Sequence, residues 1–311
     1  MNFNFLKYKN VYFTISTTLI ILSIISFIMY GLNFGIDFSQ GAVLNVSFAG
    51  NAPQVNQIKD VVAKYTKQEA TIRPIGDGSV EITFLVNKDQ KSITAEDRAK
   101  IENIKSELDK EFKINPDKTY VEEVSSVVGS RVQQKTWQAL LYTTLFIIFF
   151  VWIAFKKVSR PVSSWMYGVA AVVALLHDVI IPVGIFSILG HFYGIQFTLP
   201  IVTALLTVYG YSVMDTIVVF DRIRENLLRR SVANFEDAIN KSLNEVAGRS
   251  LATAFTTLLP LLAIYFMGGE SLKYFALALL LGITFGTYSS IFLASPLLLA
   301  WSKDKLQTNK K

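Results

Sequence analysis

Cysteine is absent from this 311-residue chain, which excludes disulfides and thiolate metal sites outright. The absence carries no information on whether any part of it faces an oxidising compartment. Charge is scarce as well. Asp, Glu, Lys and Arg make up 17% of the residues, against about 25% in soluble proteins. Hydrophobic residues make up 51%, and the mean hydropathy is +0.39. The few charges are unevenly placed, concentrated in 51–135 and 221–249 and missing from long windows elsewhere. This pattern excludes an ordinary soluble domain and implies an integral membrane protein with one sizeable soluble domain.

The net charge of +6 does not signal nucleic acid. Residues 32–136 hold 14 Lys/Arg and 15 Asp/Glu. The basic excess lies in short segments beside apolar runs: Lys7 and Lys9; Lys156, Lys157 and Arg160; Arg222, Arg224, Arg229, Arg230, Lys241 and Arg249; Lys303, Lys305, Lys310 and Lys311. Such clusters are a topology signal.

A bilayer core needs about 20 apolar residues as helix. Six runs qualify: 11–31, 138–156, 163–189, 196–220, 250–268 and 273–300. The first reads as a retained anchor, since no small-residue cleavage site follows it. With residues 1–10 in the cytoplasm, every basic cluster falls on that side, and so does the tail 302–311. Residues 32–136 are then an extracytoplasmic domain, periplasmic in a cell with an outer membrane, and 137–301 complete the helical bundle.

Within the domain, 42–48 alternates apolar and polar residues as a half-buried strand does. Val55, Ile58, Val61, Val62 and Tyr65 follow at helical spacing. Segments 69–75 and 80–86 read as a hairpin turning at Gly76, Asp77 and Gly78. A second amphipathic helix spans 94–112, and 120–128 reads as a closing strand. The order β-α-β-β-α-β is the ferredoxin-like, split-βαβ pattern. No metal-spaced or phosphate-cradling constellation accompanies it, so a binding or lever role is expected.

The informative residues are charges at membrane depth, where a carboxylate is destabilised and tends to serve ion passage or pairing. Asp215 lies in the fourth run, on one helical face with Thr203, Thr207 and Tyr211, beside Ser212 and Thr216. Arg249 opens the fifth, in a matching stripe with Thr253, Thr256 and Thr257. Asp215 and Arg249 fall at compatible depths. Desolvation favours a neutral carboxylate and a guanidinium favours a charged one, so a movable partner lets such a group load and release a proton. The alternative is a static pair fixing helix packing, with the Ser and Thr residues as interhelical glue. His177 and Asp178, midway along the third run, carry the same two readings. Asp37 sits at the outer end of the first run and reads as a cap or hinge. Gly282-x-x-x-Gly286 reads as close helix packing. The stretch Asp221, Arg222, Ile223, Arg224 and Glu225 reads as a solvated helix end or a partner contact.

These residues resemble the SecF family, the smaller half of the bacterial SecDF protein-export factor. Gly35-Ile36-Asp37-Phe38-Ser39-Gln40-Gly41 is similar to the family's GIDFxGG segment. Leu176-His177-Asp178-Val179 resembles its third-span motif. Gly210-Tyr211-Ser212-Val213-Met214-Asp215-Thr216 resembles its fourth, and Arg249-Ser250-Leu251 with Thr253 its fifth. Gln40, Met214, Ala252 and Ala254 depart from the pattern and thin its polar lining.

The resemblance implies a half-unit of the resistance-nodulation-division superfamily, with no cofactor and no covalent chemistry. It would sit in the bacterial cytoplasmic membrane, pair with a separate SecD, and work beside the SecYEG channel on unfolded preproteins. YajC and YidC are further implied partners. The coupling ion would be H⁺, with Na⁺ as the alternative. Asp215 would carry the proton and Arg249 modulate it, with His177, Asp178, Tyr211 and Thr253 in support and Gly35, Asp37 and Gly41 at the junction. Two rival functions are a proton-independent scaffold of the translocon and a small-molecule exporter subunit. The exporter normally carries two large loops and twelve spans in one chain.

Overall fold

The computed structural model describes residues 3–38, 41–50, 53–66, 70–76, 78–85, 93–124, 126–155, 162–229 and 234–308. Gln40, the turn residue Asp77, the cluster Lys156, Lys157 and Arg160, and Arg230, Lys310 and Lys311 lie outside them. The chain is mostly helical, with one small antiparallel sheet. After helix α1 (Lys9–Tyr30) come β1 (Gly41–Ser47), α2 (Val55–Tyr65), β2 (Ala70–Gly76), β3 (Ser79–Leu85), α3 (Ala95–Phe112) and β4 (Tyr120–Val124). Five long helices follow: α4 (Ser126–Ala154), α5 (Ser164–Tyr193), α6 (Leu199–Leu228), α7 (Phe235–Met267) and α8 (Glu270–Ser289). A π turn (Ser290–Ala294) joins α8 to α9 (Ser295–Thr308). Among the described residues, six helical stretches are long and apolar enough to cross a membrane.

The sheet order is β2-β3-β1-β4 with every neighbouring pair antiparallel. Leu44, Val46, Ile82 and Val80 meet Ile58 and Val61 of α2 and Ile104 and Leu108 of α3 in its core. Thr94 caps α3, accepting from the Asp97 amide while Asp97 accepts from Thr94.

Two sequence expectations change here. The strand expected over 120–128 stops at Val124, and α4 begins at Ser126. The last described pair with its partner β1 is Gly41 with Val124, and from Ser126 the chain is helical. The expected half-burial of β1 also fails: Val43 is 4% exposed, although it points away from the domain core. That face lies over a cleft shared with Tyr193, Gln196 and Tyr274 at the ends of the long helices.

The helices also differ in extent from the apolar runs. Helix α6 continues past Phe220 to Leu228, and α7 starts at Phe235, well before Arg249. Polar contacts support both extensions. Arg222 pairs with Glu225 at 2.5 Å and Glu245 at 2.6 Å, Asn226 donates to Ser242 at 2.9 Å, and Asn234 caps α7. The charged stretch after Phe220 is therefore an ion-paired helical hairpin. The sixth run becomes α8, the π turn and α9, which continues through Trp301 to Thr308.

Small residues set the packing. Helix α8 lies against α6 at Gly282 and Gly286: a Cβ on Gly282 would overlap Val208, and one on Gly286 would sit 3.1 Å from Ser212. Helix α1 meets α5 in the same way, with Gly184 against Ser23 and the Ser187 hydroxyl donating to the Gly31 carbonyl at 2.6 Å.

Candidate functional site

Within the apolar stretches of the long helices, the described residues include two carboxylates, Asp178 and Asp215, and serines bond both. Asp178, on α5, is fully buried. One of its oxygens meets His177 Nδ1 at 2.9 Å. The other accepts from Ser212 of α6 at 2.5 Å and from Ser289 of α8 at 2.8 Å. Three helices thus converge on one carboxylate. Pro182 stands one turn beyond and removes the N–H that would bond the Asp178 carbonyl.

The π turn at Ser290–Ala294 places both Ser289 and Ser290 inward. Ser289 serves Asp178, while Ser290 meets Thr216 of α6 at 2.8 Å. Such turns break the regular helical ladder and recur at functional sites. His177 is also fully buried, stacked beside Tyr288, and its Nε2 has no hydrogen-bond partner.

Asp215, three residues along α6 from Ser212, faces α7. Its Oδ1 accepts from Ser250 at 2.5 Å, and its Oδ2 is buried, with Ser290 nearby and no closer hydrogen-bond partner among the described residues. Among the described residues no ion pair joins it to Arg249, which is exposed. The static-pair alternative therefore lacks its contact. Helix α6 carries the Ser212 hydroxyl toward one carboxylate and a second carboxylate, Asp215, toward a neighbouring helix, within one turn.

Hydroxyls divide by type. The serines named above bond across helices, but Thr203, Thr207, Thr253 and Thr257 each bond the carbonyl four residues back on their own helix, at 2.9–3.0 Å. Serines, joined by Thr216, supply bonds between helices, while these four threonines each satisfy their hydroxyl on their own helix. Thr203, Thr207 and Met214 on α6, with Arg249, Ala252, Thr253 and Thr256 on α7, are exposed. Tyr211 is half-buried one turn before Asp215. A polar stripe on the outer face of an apolar bundle calls for a covering partner.

The junction residues come together at the sheet-domain end. The Phe197 amide donates to the Asn33 carbonyl at 2.6 Å, and the Gly35 amide to the Phe197 carbonyl at 3.0 Å. A Cβ on Gly35 would lie 2.9 Å from the Thr198 methyl, so glycine permits the close approach. Asp37 then accepts from the Leu199 amide at 2.8 Å, capping α6 from outside that helix. Thr198, at the cap position, makes no capping bond itself. Gly41 opens β1, paired with both Leu85 and Val124.

The sequence singles out Ser212 and Thr216 and carries Ser250 within the fifth-span motif, but gives no role to Ser250, Ser289 or Ser290. The signal for the last two was the run Tyr288-Ser289-Ser290, which interrupts an otherwise apolar stretch.

Fold and site together define a multi-pass membrane protein: six apolar helical stretches carrying buried carboxylates, with a small αβ domain inserted after the first. The family model of the protein export membrane protein SecD/SecF C-terminal region matches residues 103–304. Among curated relatives, the protein translocase subunit SecF of Thermobaculum terrenum is 38% identical over 308 residues, 97% of this chain and 95% of that protein. Its namesake from Desulfurispirillum indicum is 35% identical, over 99% and 94%. The crystal structure of SecDF, a translocon-associated membrane protein from Thermus thermophilus, superposes with a TM-score of 0.80 at 30% identity. That match covers 97% of this chain and 39% of the SecDF chain. A SecDF structure in a super-membrane-facing form gives a TM-score of 0.69 at 31% identity, covering 100% of this chain and 40% of that one. The chain belongs to the SecD/SecF family of protein-export membrane proteins, whose members are transport components and not enzymes.

Proposed function

We propose that this chain is the SecF-type half of a SecDF assembly, coupling ion flux across the bacterial cytoplasmic membrane to export of unfolded preproteins. The observation that carries the reading is Asp215: a carboxylate among apolar helices that accepts from the Ser250 hydroxyl at 2.5 Å, has Ser290 as a second serine beside it, and makes no ion pair among the described residues. Ionised, it has no paired cation; protonated, it has no charge to accommodate. Arg249, exposed on the adjoining helix, is the cation that modulates it. Asp178, with His177, Ser212 and Ser289, forms a second polar station on the other side of α6. Tyr211 and Thr253 line the approach, and the coupling ion is H⁺, with Na⁺ as the alternative.

The exposed polar stripe of α6 and α7 is the half-pathway that SecD, as a second six-helix unit, completes. This is the arrangement of the resistance-nodulation-division superfamily. SecYEG, YajC and YidC are the further partners. The sheet domain, read as ferredoxin-like from its strand order, is periplasmic and acts as a lever on the emerging chain, with both termini cytoplasmic. Gly35, Asp37 and Gly41 transmit between lever and bundle. One charge crossing 100 mV supplies about 2.3 kcal/mol per cycle.

The test is pulse-chase export of a secreted reporter in cells lacking their own SecF, supplied with matched SecD and this chain. Asp215→Asn, at equal membrane abundance and with the SecD complex intact, is expected to lose export stimulation. Full stimulation by that variant sinks the coupling reading and leaves a scaffold.

A further inference from the structure

On the far side of α6 from the polar stripe, a groove of about 510 Å³ opens between α1 and α4, over α5 and α6. We infer that this groove binds one phospholipid acyl chain, entering from the leaflet on the sheet-domain side. Its α4 wall runs from Gln133 through Trp137 to Thr144 on one helical face. Those 11 steps rise about 16 Å, roughly half of a hydrocarbon core about 30 Å thick.

The groove closes at that depth. Farther along α4, Ile147, Val151 and Phe155 are buried, and Phe155 stacks on Tyr167 at 5.1 Å. An occupant therefore reaches in from one leaflet only, as a lipid tail does and a spanning helix does not. The two walls present apolar side chains outward: Phe27 of α1 is 44% exposed and Trp137 63%. Val183 and Leu205 form the floor. No Asp, Glu, Lys or Arg lines the groove among the described residues. At the mouth Gln133 and Thr136 offer neutral donors suited to ester and phosphate oxygens. An open, uncharged and mostly apolar groove flanked by lipid-facing helices matches the chemistry of a single tail and its glycerol ester: Gln133 and Thr136 stand at its mouth, and of the deeper polar groups, Ser23, Thr144 and Tyr209, the Thr144 hydroxyl is taken up by the Leu140 carbonyl at 2.8 Å.

The test uses the full chain with Trp152, Trp165 and Trp301 replaced by Phe, leaving Trp137 as the reporter, and a companion keeping only Trp152. Each is purified in detergent and titrated with a phospholipid brominated in its acyl chains, which quenches indole fluorescence on contact. The expected result is quenching of Trp137 that saturates near one lipid per protein, while Trp152 follows the lipid content of the micelle without saturating. Val183→Phe with Leu176→Phe, which fills the groove, should remove the saturable phase while the helical circular dichroism is unchanged. Non-saturating quenching of Trp137 in the unfilled chain overturns the inference. So does loss of the saturable phase when the partner six-helix subunit is bound, because the groove is then a protein interface. Native mass spectrometry provides a second reading: one phospholipid retained by the unfilled chain and none by the filled one.

Discussion

Replacing Asp37 tests whether the sheet domain is mechanically tied to the helix that carries Asp215. Asp37 precedes β1 yet caps α6, taking the Leu199 amide at 2.8 Å. The residue at the cap position, Thr198, makes no such bond, and Pro200 has no amide to satisfy. Asp37→Ala thus removes the side-chain acceptor this helix start has been given. Loss of a capping acceptor costs about 0.5–2 kcal/mol, or roughly 2- to 30-fold in a local opening equilibrium. Loss of the negative charge at the helix start adds about 0.3–1 kcal/mol. Asp37→Asn keeps the acceptor and loses only the charge, so its effect should be the smaller by several-fold. Hydrogen–deuterium exchange of the full chain in nanodiscs reads this directly at the amides of Ile201 to Thr203. The Ala variant should accelerate exchange there and leave the Thr94-capped start of α3 unchanged. Equal rates in wild type and Ala, or equal acceleration by Ala and Asn, refute the capping argument.

Three further outcomes follow from the packing. Ser289→Ala removes one of two hydroxyls on the inner oxygen of Asp178 and should lower export stimulation, while Ser295→Ala, bonded only to its own helix at Ser290, should not; pulse-chase export compares them. Gly282→Leu drives a side chain into Val208 on α6 and should reduce the thermal midpoint of the detergent-purified chain, overpacking costing about 1–3 kcal/mol; an unchanged midpoint contradicts the close α6–α8 approach. Ile82→Ala empties the fully buried centre of the sheet-domain core and should destabilise that domain by about 2–5 kcal/mol, measured by chemical denaturation with the long helices unaffected.

The spans were legible because lipid demands long apolar helices, and a run of 20 such residues has few other uses. Their ends were less so. Asp221 to Leu228 and Phe235 to Gly248 look like loop by hydropathy, but Arg222, Glu225 and Glu245 satisfy one another and let the helices continue. The apolar spacing over 120–128 fits a strand and a helix start alike, so the change from β4 to α4 between Val124 and Ser126 does not show in it. Asp215, Asp178 and His177 stood out as polar groups among apolar ones. Their serine partners did not, since serine is common in packed helices and only the three-dimensional meeting of α5, α6 and α8 gives Ser212 and Ser289 a shared target. Counting residues puts Arg249 at a depth compatible with Asp215, but depth does not fix a contact, and Arg249 is exposed with no ion pair to Asp215 among the described residues.

The most direct test of the central claim measures ion flux through the reconstituted complex. Proteoliposomes holding this chain with its SecD are given a membrane potential, with a pH-sensitive dye inside and sodium present or absent. Wild type should acidify the lumen under an inward-driving potential, and Asp215→Asn should fall to the rate of empty liposomes while the complex stays assembled. Flux through Asp215→Asn equal to wild type, or none above empty liposomes for wild type with either ion, contradicts the account.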